Sequence, residues 1–394
     1  MKTTRKIIQA AFLVLTIIGV FVVGANAEVW CPFGGIEGLY TYWSEGNLIC
    51  SLGVSNFYVL AGVLVMALLL RRAFCGYVCP IGTLSDWIHA AARRLGMPQP
   101  RIPAWADRGL AFAKYVVLAA IVLVTWQAGE LLFRGYCPAY ALVSRHGADI
   151  AWWAYAVAGA IGVVSLVVAM PFCRWFCPFA AVLNPFSRLA LARVKREAAA
   201  CTGCRACARA CPMAIPVNDM AQVTAARCLV CLECVEACPK ASAGALTWGP
   251  PRRLGGRWPQ AVLVAILLAC MAGAVSAAWL APIASFVKIH GTPPARVATV
   301  ELRIHELTCR GRANLLVWFL QRDDLSAPLG YFKLEAWPGP AAARARITYD
   351  PAETDEETIK RAVTEPYFQA NADTVAARWF PSPFRIEGYD PLVP

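Results

Sequence analysis

Five apolar runs, 7–27, 51–70, 109–130, 150–172 and 258–284, are separated by more polar stretches. Each approaches the roughly 20 helical residues that cross a hydrocarbon core of about 30 Å. Five spanning helices are therefore expected. The second run is the weakest, with FYVLAGVLVMALLL as its dense centre, and the first also has the build of a secretory signal peptide, MKTTRK ahead of an apolar centre and ANA before Glu28. Beyond the fifth run the period changes. ATVELRIHEL, YFKLEAW and ARARITYDP alternate as strands, ANLLVWFLQ and TDEETIKRAV repeat as helices, and SPFRIEGYDP supplies a last strand. Thr354, three residues before Glu357, is the expected N-cap of the later helix. The order is βαββαβ, an α+β ferredoxin-like domain.

Composition agrees with a membrane location. The 394 residues are 58% hydrophobic and 16% charged, with a mean hydropathy of +0.51, too apolar for a soluble chain of this size. The net charge of +12 is unevenly spread. Segments 1–6, 71–114 and 173–257 carry 3, 7 and 12 basic residues, whereas 28–50 carries none and 131–149 only Arg134 and Arg145. Basic residues stay on the cytoplasmic side, so the asymmetry predicts a multi-pass protein of the bacterial cytoplasmic (inner) membrane with its N-terminus inside. It also gives a nucleic-acid partner little support.

Cysteine placement divides the chain further. Residues 1–194 contain two similar halves: each has a Cys-Pro expected on the outer side, Cys31-Pro32 or Cys137-Pro138, then an inner C-x3-C-P, CGYVCP with Cys75 and Cys79 or CRWFCP with Cys173 and Cys177. Outer and inner motifs stand 44 and 36 residues apart. Repeats of this kind place sites at their interface, and the four inner thiols suit one iron–sulfur cluster; small apolar packing and a different bound cofactor are the alternatives. Residues 195–250 hold CTGCRACARACP and CLVCLECVEACP. These are complete C-x2-C-x2-C-x3-C-P runs, in which the fourth Cys serves the other run's [4Fe–4S] cube. One cube is expected on Cys201, Cys204, Cys207 and Cys238, the other on Cys228, Cys231, Cys234 and Cys211. Zinc knuckles share the C-x2-C element but explain neither the third Cys nor the repeated ending. Residues 251–287 form the fifth span and its flanks, and 288–394 the outer domain.

With these motifs in view, residues 7 to 250 resemble the polytopic membrane ferredoxin-type 4Fe-4S proteins typified by NapH, MauN and the C-terminal half of NosR. The resemblance rests on the paired C-x3-C-P motifs, CPFGG at 31–35 and the two-cluster ferredoxin. It implies electron transfer between the quinol/quinone pool and a periplasmic redox partner protein, a reductase or maturation system. The fifth span and the outer domain depart from that group. LTCRGR and ITYDPAETDEETIKRAV in the outer domain resemble the heavy-metal-associated fold, but Arg312 stands where that family has its second thiol, leaving Cys309 a poor soft-metal site.

Other carriers are unsupported. The four histidines lie outside the apolar runs and outside any CxxCH, and no GxGxxG follows a strand. Cys31 and Cys137 admit three readings: a disulfide, ligands of an outer cofactor, or buried packing. Cys50 and Cys270 read as packing residues. Trp30, Tyr40, Tyr42 and Trp43 beside Glu37 and Glu45 read as an interfacial belt before a quinol slot. Two rivals to electron transfer remain: a metal-handling protein whose clusters reduce the ion, and a structural assembly factor.

Overall fold

The computed structural model describes residues 2–22, 31–45, 55–100, 102–128, 137–143, 150–281, 283–322, 330–339, 342–370 and 377–389. Cys50, Trp30, Arg134 and Arg145 lie outside these residues, as do the side chains of Tyr40 and Glu45. The chain forms two compact units, 1–37 with 55–280, and 38–54 with 281–394.

In the first unit α1 (Lys2–Ile17) runs on through a π turn to Val22. Helix α2 (Gly34–Glu45) starts in this unit, its residues from 38 on being counted with the second, and the next helices are α3 (Ser55–Leu70), α4 (Ala73–Tyr77), α5 (Pro80–Arg94), α6 (Ala104–Ala128), α7 (Pro138–Val143), α8 (Trp152–Val167) and α9 (Pro178–Leu189). Strand β1 (Arg193–Arg196), short helices α10 (Ala206–Arg209) and α11 (Glu233–Glu236), strand β2 (Leu246–Gly249) and the long α12 (Gln260–Leu280) complete it.

Among the described residues three helical stretches are long and apolar enough to cross a membrane: Thr3–Val22, Ala104–Gln127 and Gln260–Leu280. Helices α3 and α8 are apolar but only 16 residues long, about 24 Å at 1.5 Å per residue. Backbone chemistry stops both. Arg71 takes φ 61 directly after α3, and Val168 is extended after α8, just ahead of Pro171. Three spanning-length helices therefore stand where the apolar runs suggested five. Helix α3 lies close against α12, because a Cβ at Gly62 would fall 2.7 Å from the Ala274 Cβ and 3.1 Å from the Cys270 carbonyl oxygen. Small residues permit such approach between apolar helices, and Cys270 sits in that packing rather than in a thiol cluster.

Buried polar groups join the elements. Arg5 on α1 donates to the Gly76 carbonyl at 3.2 Å and pairs with Asp86 at 3.2 Å and with Glu233. Gln9, fully buried, donates to the same carbonyl at 3.0 Å. Arg71 donates to the carbonyls of Ala192, Ala225 and Val223 at 2.7–2.9 Å. Asp107 on α6 accepts from Arg174 at 2.6 Å, the Trp175 indole at 2.9 Å and Arg227 at 2.5 Å. β1 and β2 pair antiparallel, Arg193 opposite Gly249 and Arg196 opposite Leu246, and close the base of the cysteine-rich segment.

The second unit contains β3 (Phe286–Ile289), β4 (Ala298–His305), α13 (Arg310–Phe319), β5 (Tyr331–Trp337), β6 (Ala343–Tyr349), α14 (Glu356–Thr364), β7 (Tyr367–Ala370), β8 (Ala377–Phe380) and β9 (Arg385–Ile386). Five strands make an antiparallel sheet in the order β3-β5-β6-β4-β9. Leu302, Ile304, Leu316, Phe319, Leu334, Ile347, Ile359 and Phe384 fill the core between sheet and helices. The alternation of ATVELRIH is met side by side, with Val300, Leu302 and Ile304 inward. Strand β3 and the β7–β8 hairpin are additions to the order expected from the sequence. The cap of α14 also differs: Asp355, not Thr354, accepts from the Thr358 N–H at 2.8 Å. Thr354 is turned inward, and its own N–H closes a turn on the Asp350 carbonyl at 3.1 Å.

Candidate functional site

The eight cysteines of the two long runs surround two hollows. Cys211, Cys228, Cys231 and Cys234 line one, with Leu229, Val230, Leu232, Ile215 and Val223 completing an apolar wall. Cys201, Cys204, Cys207 and Cys238 line the other, among Arg196, Arg205, Asn218 and Lys240. Each set takes three thiols from one run and the fourth from the other. Among the described residues no three His, Cys, Asp or Glu side chains close on a single-ion point. Four thiols at each hollow are the donor set of an iron–sulfur cube.

Equivalent backbone strain shapes both rings. Arg205 and Leu232, each just after the second Cys of its run, take φ 57 and 61, and Gly203 and Val230, just before it, take φ 71 and 50. The left-handed turns swing the Cys side chains to one side. For β-branched Val230 the conformation is costly, and the Tyr77 hydroxyl holds it by donating to the Val230 carbonyl at 3.1 Å.

The two rings differ in hydration. Cys204 is exposed; the N–H of Ala206 and the Thr202 hydroxyl lower its pKa, as the N–H of Gly203 and Arg196 do for Cys201. In the apolar ring burial dominates, pushing Cys211 up to about 11 and Cys231 and Cys234 also upward, with Arg5 opposing the shift at Cys231.

The apolar ring is docked on the first C-x3-C-P loop. The Arg72 N–H donates to the Cys228 carbonyl at 3.2 Å, and a Cβ at Gly76 would meet the Leu229 Cβ at 3.2 Å. Cys75 and Cys173 are buried. Both lie within electrostatic range of Cys79, Cys177 and the Arg72 guanidinium. Arg72 itself donates to the Ala180 carbonyl at 2.7 Å and to Asn184. The structure thus brings the four thiols of CGYVCP and CRWFCP together, with Arg72 in range of Cys75, Cys173 and Cys177 and Lys114 also in range of Cys177. Cys79 and Cys177 occupy the N-cap positions of α5 and α9 with Pro at the first helical turn, where the missing N–H is not needed. Loss of hydration raises all four thiols, Cys79 to about 11.

The loop tolerates no bulk at its base. A Cβ at Gly82 would stand 2.2 Å from the Cys75 carbonyl oxygen. Gly82→Ala is expected to push the loop off α5 at an overpacking cost of about 1–3 kcal/mol, read as a lower thermal midpoint of the solubilised protein. An unchanged midpoint would mean the loop is slack.

Cys31 and Cys137 are not held apart from the inner motifs. Cys137 lies in electrostatic range of Cys31 and Glu37, and Cys31 in range of Glu37 and Cys79. The Asn56 amide donates to the Cys31 carbonyl at 2.7 Å. Glu37, read from the sequence as part of an outer belt, is 6% exposed, whereas Trp43 is 88% exposed. Cys309 caps α13 as a half-buried lone thiol. Arg5, Arg71, Arg72 and Asp107 were not anticipated. Their only sequence signal was charge at the edge of an apolar run.

Comparison with known proteins fits this geometry. The family described as "4Fe-4S binding domain" matches residues 52–98 and 150–197, one C-x3-C-P loop in each, and "4Fe-4S dicluster domain" matches 193–239. The class is therefore an iron–sulfur protein of ferredoxin type that also carries membrane-length helices. The "Putative electron transport protein YccM" of Escherichia coli (strain K12) is 30% identical over 207 residues, 50% of this chain and 56% of that one; the match spans little more than half of that relative. An uncharacterized protein of Methanocaldococcus jannaschii is 30% identical over 217 residues, 55% of this chain and 84% of its own. The ferredoxin-type protein NapH of Haemophilus influenzae is 29% identical over 216 residues, 51% and 72% of the two chains. The chain belongs to the ferredoxin-type 4Fe-4S membrane protein family. No solved structure matches it.

Proposed function

We propose that the protein is a membrane-bound electron carrier that moves electrons between the quinol pool and a redox partner on the periplasmic side. The observation that carries this reading is the docking of the apolar thiol ring on the C-x3-C-P loop, through Arg72 to Cys228 and Tyr77 to Val230. It aligns three thiol sets: the hydrated ring, the apolar ring and the membrane thiols. In this reading the eight ferredoxin cysteines hold two [4Fe–4S] clusters, and the loops of Cys75, Cys79, Cys173 and Cys177 house a further iron–sulfur centre. Bound clusters supply one-electron exchange. The chain supplies the rest: Leu229, Val230 and Leu232 exclude water from the apolar ring, while Arg5 and Arg72 place positive charge beside groups that become negative. Relatives named for electron transport and as ferredoxin-type proteins support the same direction.

The topology that goes with it has five membrane crossings, α3 and α8 being short, a cytoplasmic ferredoxin domain at 195–250 and a periplasmic domain at 288–394. The strand order β9-β4-β6-β5 within the second unit supports reading that domain as ferredoxin-like and heavy-metal-associated-like. Its single thiol at Cys309 favours docking over metal transfer. In anaerobic membranes, a reduced short-chain quinol is expected to bleach the cluster absorbance, and a periplasmic oxidant to restore it. Reporters fused after Ala243 and His290 are expected on opposite sides. Bleaching by a cytosolic donor alone, or both reporters on one side, would overturn the reading.

A further inference from the structure

Arg72 touches three cysteine motifs at once. Its N–H donates to the Cys228 carbonyl at 3.2 Å, and its own carbonyl accepts from the Cys75 N–H at 3.1 Å. The guanidinium reaches across to the other half of the repeat: Nη1 stands 3.5 Å from the Cys173 carbonyl oxygen, and Nη2 donates to the Ala180 carbonyl at 2.7 Å and to Asn184.

That side chain is 0% exposed, and its Nε has no hydrogen-bond partner. Other buried guanidiniums of the unit are compensated. Arg5 pairs with Asp86 and Glu233, and Arg174 with Asp107. Among the described residues neither Arg71 nor Arg72 has a carboxylate partner, but Arg71 donates from each of its three nitrogens to a carbonyl.

An uncompensated buried charge is strongly destabilising. Lys114, 3% exposed and bonded to the Arg174 carbonyl at 2.8 Å, can shed a proton to avoid that state. A guanidinium cannot. Arg72 therefore needs an anion, and the thiols beside it are Cys75, Cys173 and Cys177. Protonated thiols would supply no charge. Thiolates around an iron–sulfur core leave net negative charge at the place where Arg72 lacks a partner, and a cation fixed there makes an added electron easier to hold.

We propose that Arg72 is the fixed counter-ion of the membrane centre, a positioning residue that raises its reduction potential while its backbone ties the CGYVCP loop to the apolar ring. The proposal rests on the further centre put forward above. It leaves no room for CGYVCP and CRWFCP as mere packing of protonated thiols.

The test is an EPR-monitored redox titration of the full-length protein, purified anaerobically, with iron content measured beside it. The component lost in Cys173→Ser marks the membrane centre, and the hydrated ring serves as internal reference. Arg72→Gln removes the charge and Arg72→Lys keeps it. Asn184→Asp leaves Arg72 in place but sets a carboxylate where the Asn184 Oδ1 accepts from it. Arg72→Gln and Asn184→Asp are expected to move the membrane centre to lower potential, Arg72→Lys to leave it near the wild-type value, and none of the three to move the hydrated ring. A purely structural role would not give this pattern, because Asn184→Asp keeps the shape and strengthens the contact with Arg72. An unchanged potential in Asn184→Asp, or in Arg72→Gln with the centre retained, would overturn the proposal and leave the centre standing. Should both variants lose the centre and its iron instead, retention in Arg72→Lys supports the role of charge and loss there overturns it. A wild-type protein with the two ferredoxin signals alone would remove the centre itself, and this proposal with it.

Discussion

Asp107→Ala is expected to destabilise the holoprotein by roughly 3–5 kcal/mol, the range for breaking a buried ion pair from one side. The carboxylate is 4% exposed and is shared by Arg174, Trp175 and Arg227. Removing it strands the Arg174 guanidinium, whose side chain is 7% exposed. Arg227, 24% exposed, loses less. Because Arg227 adjoins Cys228, the damage should extend from the CRWFCP loop to the apolar thiol ring, and iron content should fall with the thermal midpoint. Asp107→Asn keeps an acceptor but not the charge, and should fall between the two. A midpoint unchanged in both variants would show that the bridge contributes nothing.

Cys211→Ala should remove the cluster of the second run and spare that of the first. The residue belongs by sequence to the first run, but its sulfur lines the hollow of Cys228, Cys231 and Cys234. About four of the eight ferredoxin irons should be lost. The ferredoxin EPR signal that remains should be that of the hydrated ring, and quinol-dependent bleaching of that ring should cease, since in the proposed route the apolar ring connects it to the membrane thiols. Should the variant lose the hydrated ring's signal and keep the apolar one, the crossed ligand scheme would be wrong.

The grouping of the eight cysteines around two hollows was legible because each run is local: spacing alone sets which thiols face one way, and the crossed fourth Cys follows from the same spacing. The second unit was legible where strands are long enough to alternate, as in ATVELRIH. It was not legible at FVKI, four residues whose pairing with β5 depends on partners far along the chain. The helix ends at Leu70 and Val167 escaped notice because apolarity continues past them; what stops the helices is the backbone at Arg71 and Val168. The closeness of Cys31 to Cys79 was not legible for a similar reason. Counting residues across apolar runs sets the two at opposite ends of α3, whereas Phe33 packs on Phe179. Arg72 illustrates the same limit, since a basic residue at a helix end reads as a topology signal until its carbonyl partners are known.

The pairing of Arg193–Arg196 with Leu246–Gly249 has a bearing on biogenesis. This two-stranded stem brings entry and exit of the cysteine-rich segment together, so the segment hangs from the chain as a closed lobe. On a ribosome the lobe is finished once Gly249 has emerged, before α12 at 260–280 can leave the exit tunnel. In the topology proposed above, cluster assembly factors would thus meet a completed ferredoxin lobe while α12 is still inside the tunnel, and metal loading can precede its insertion rather than compete with it.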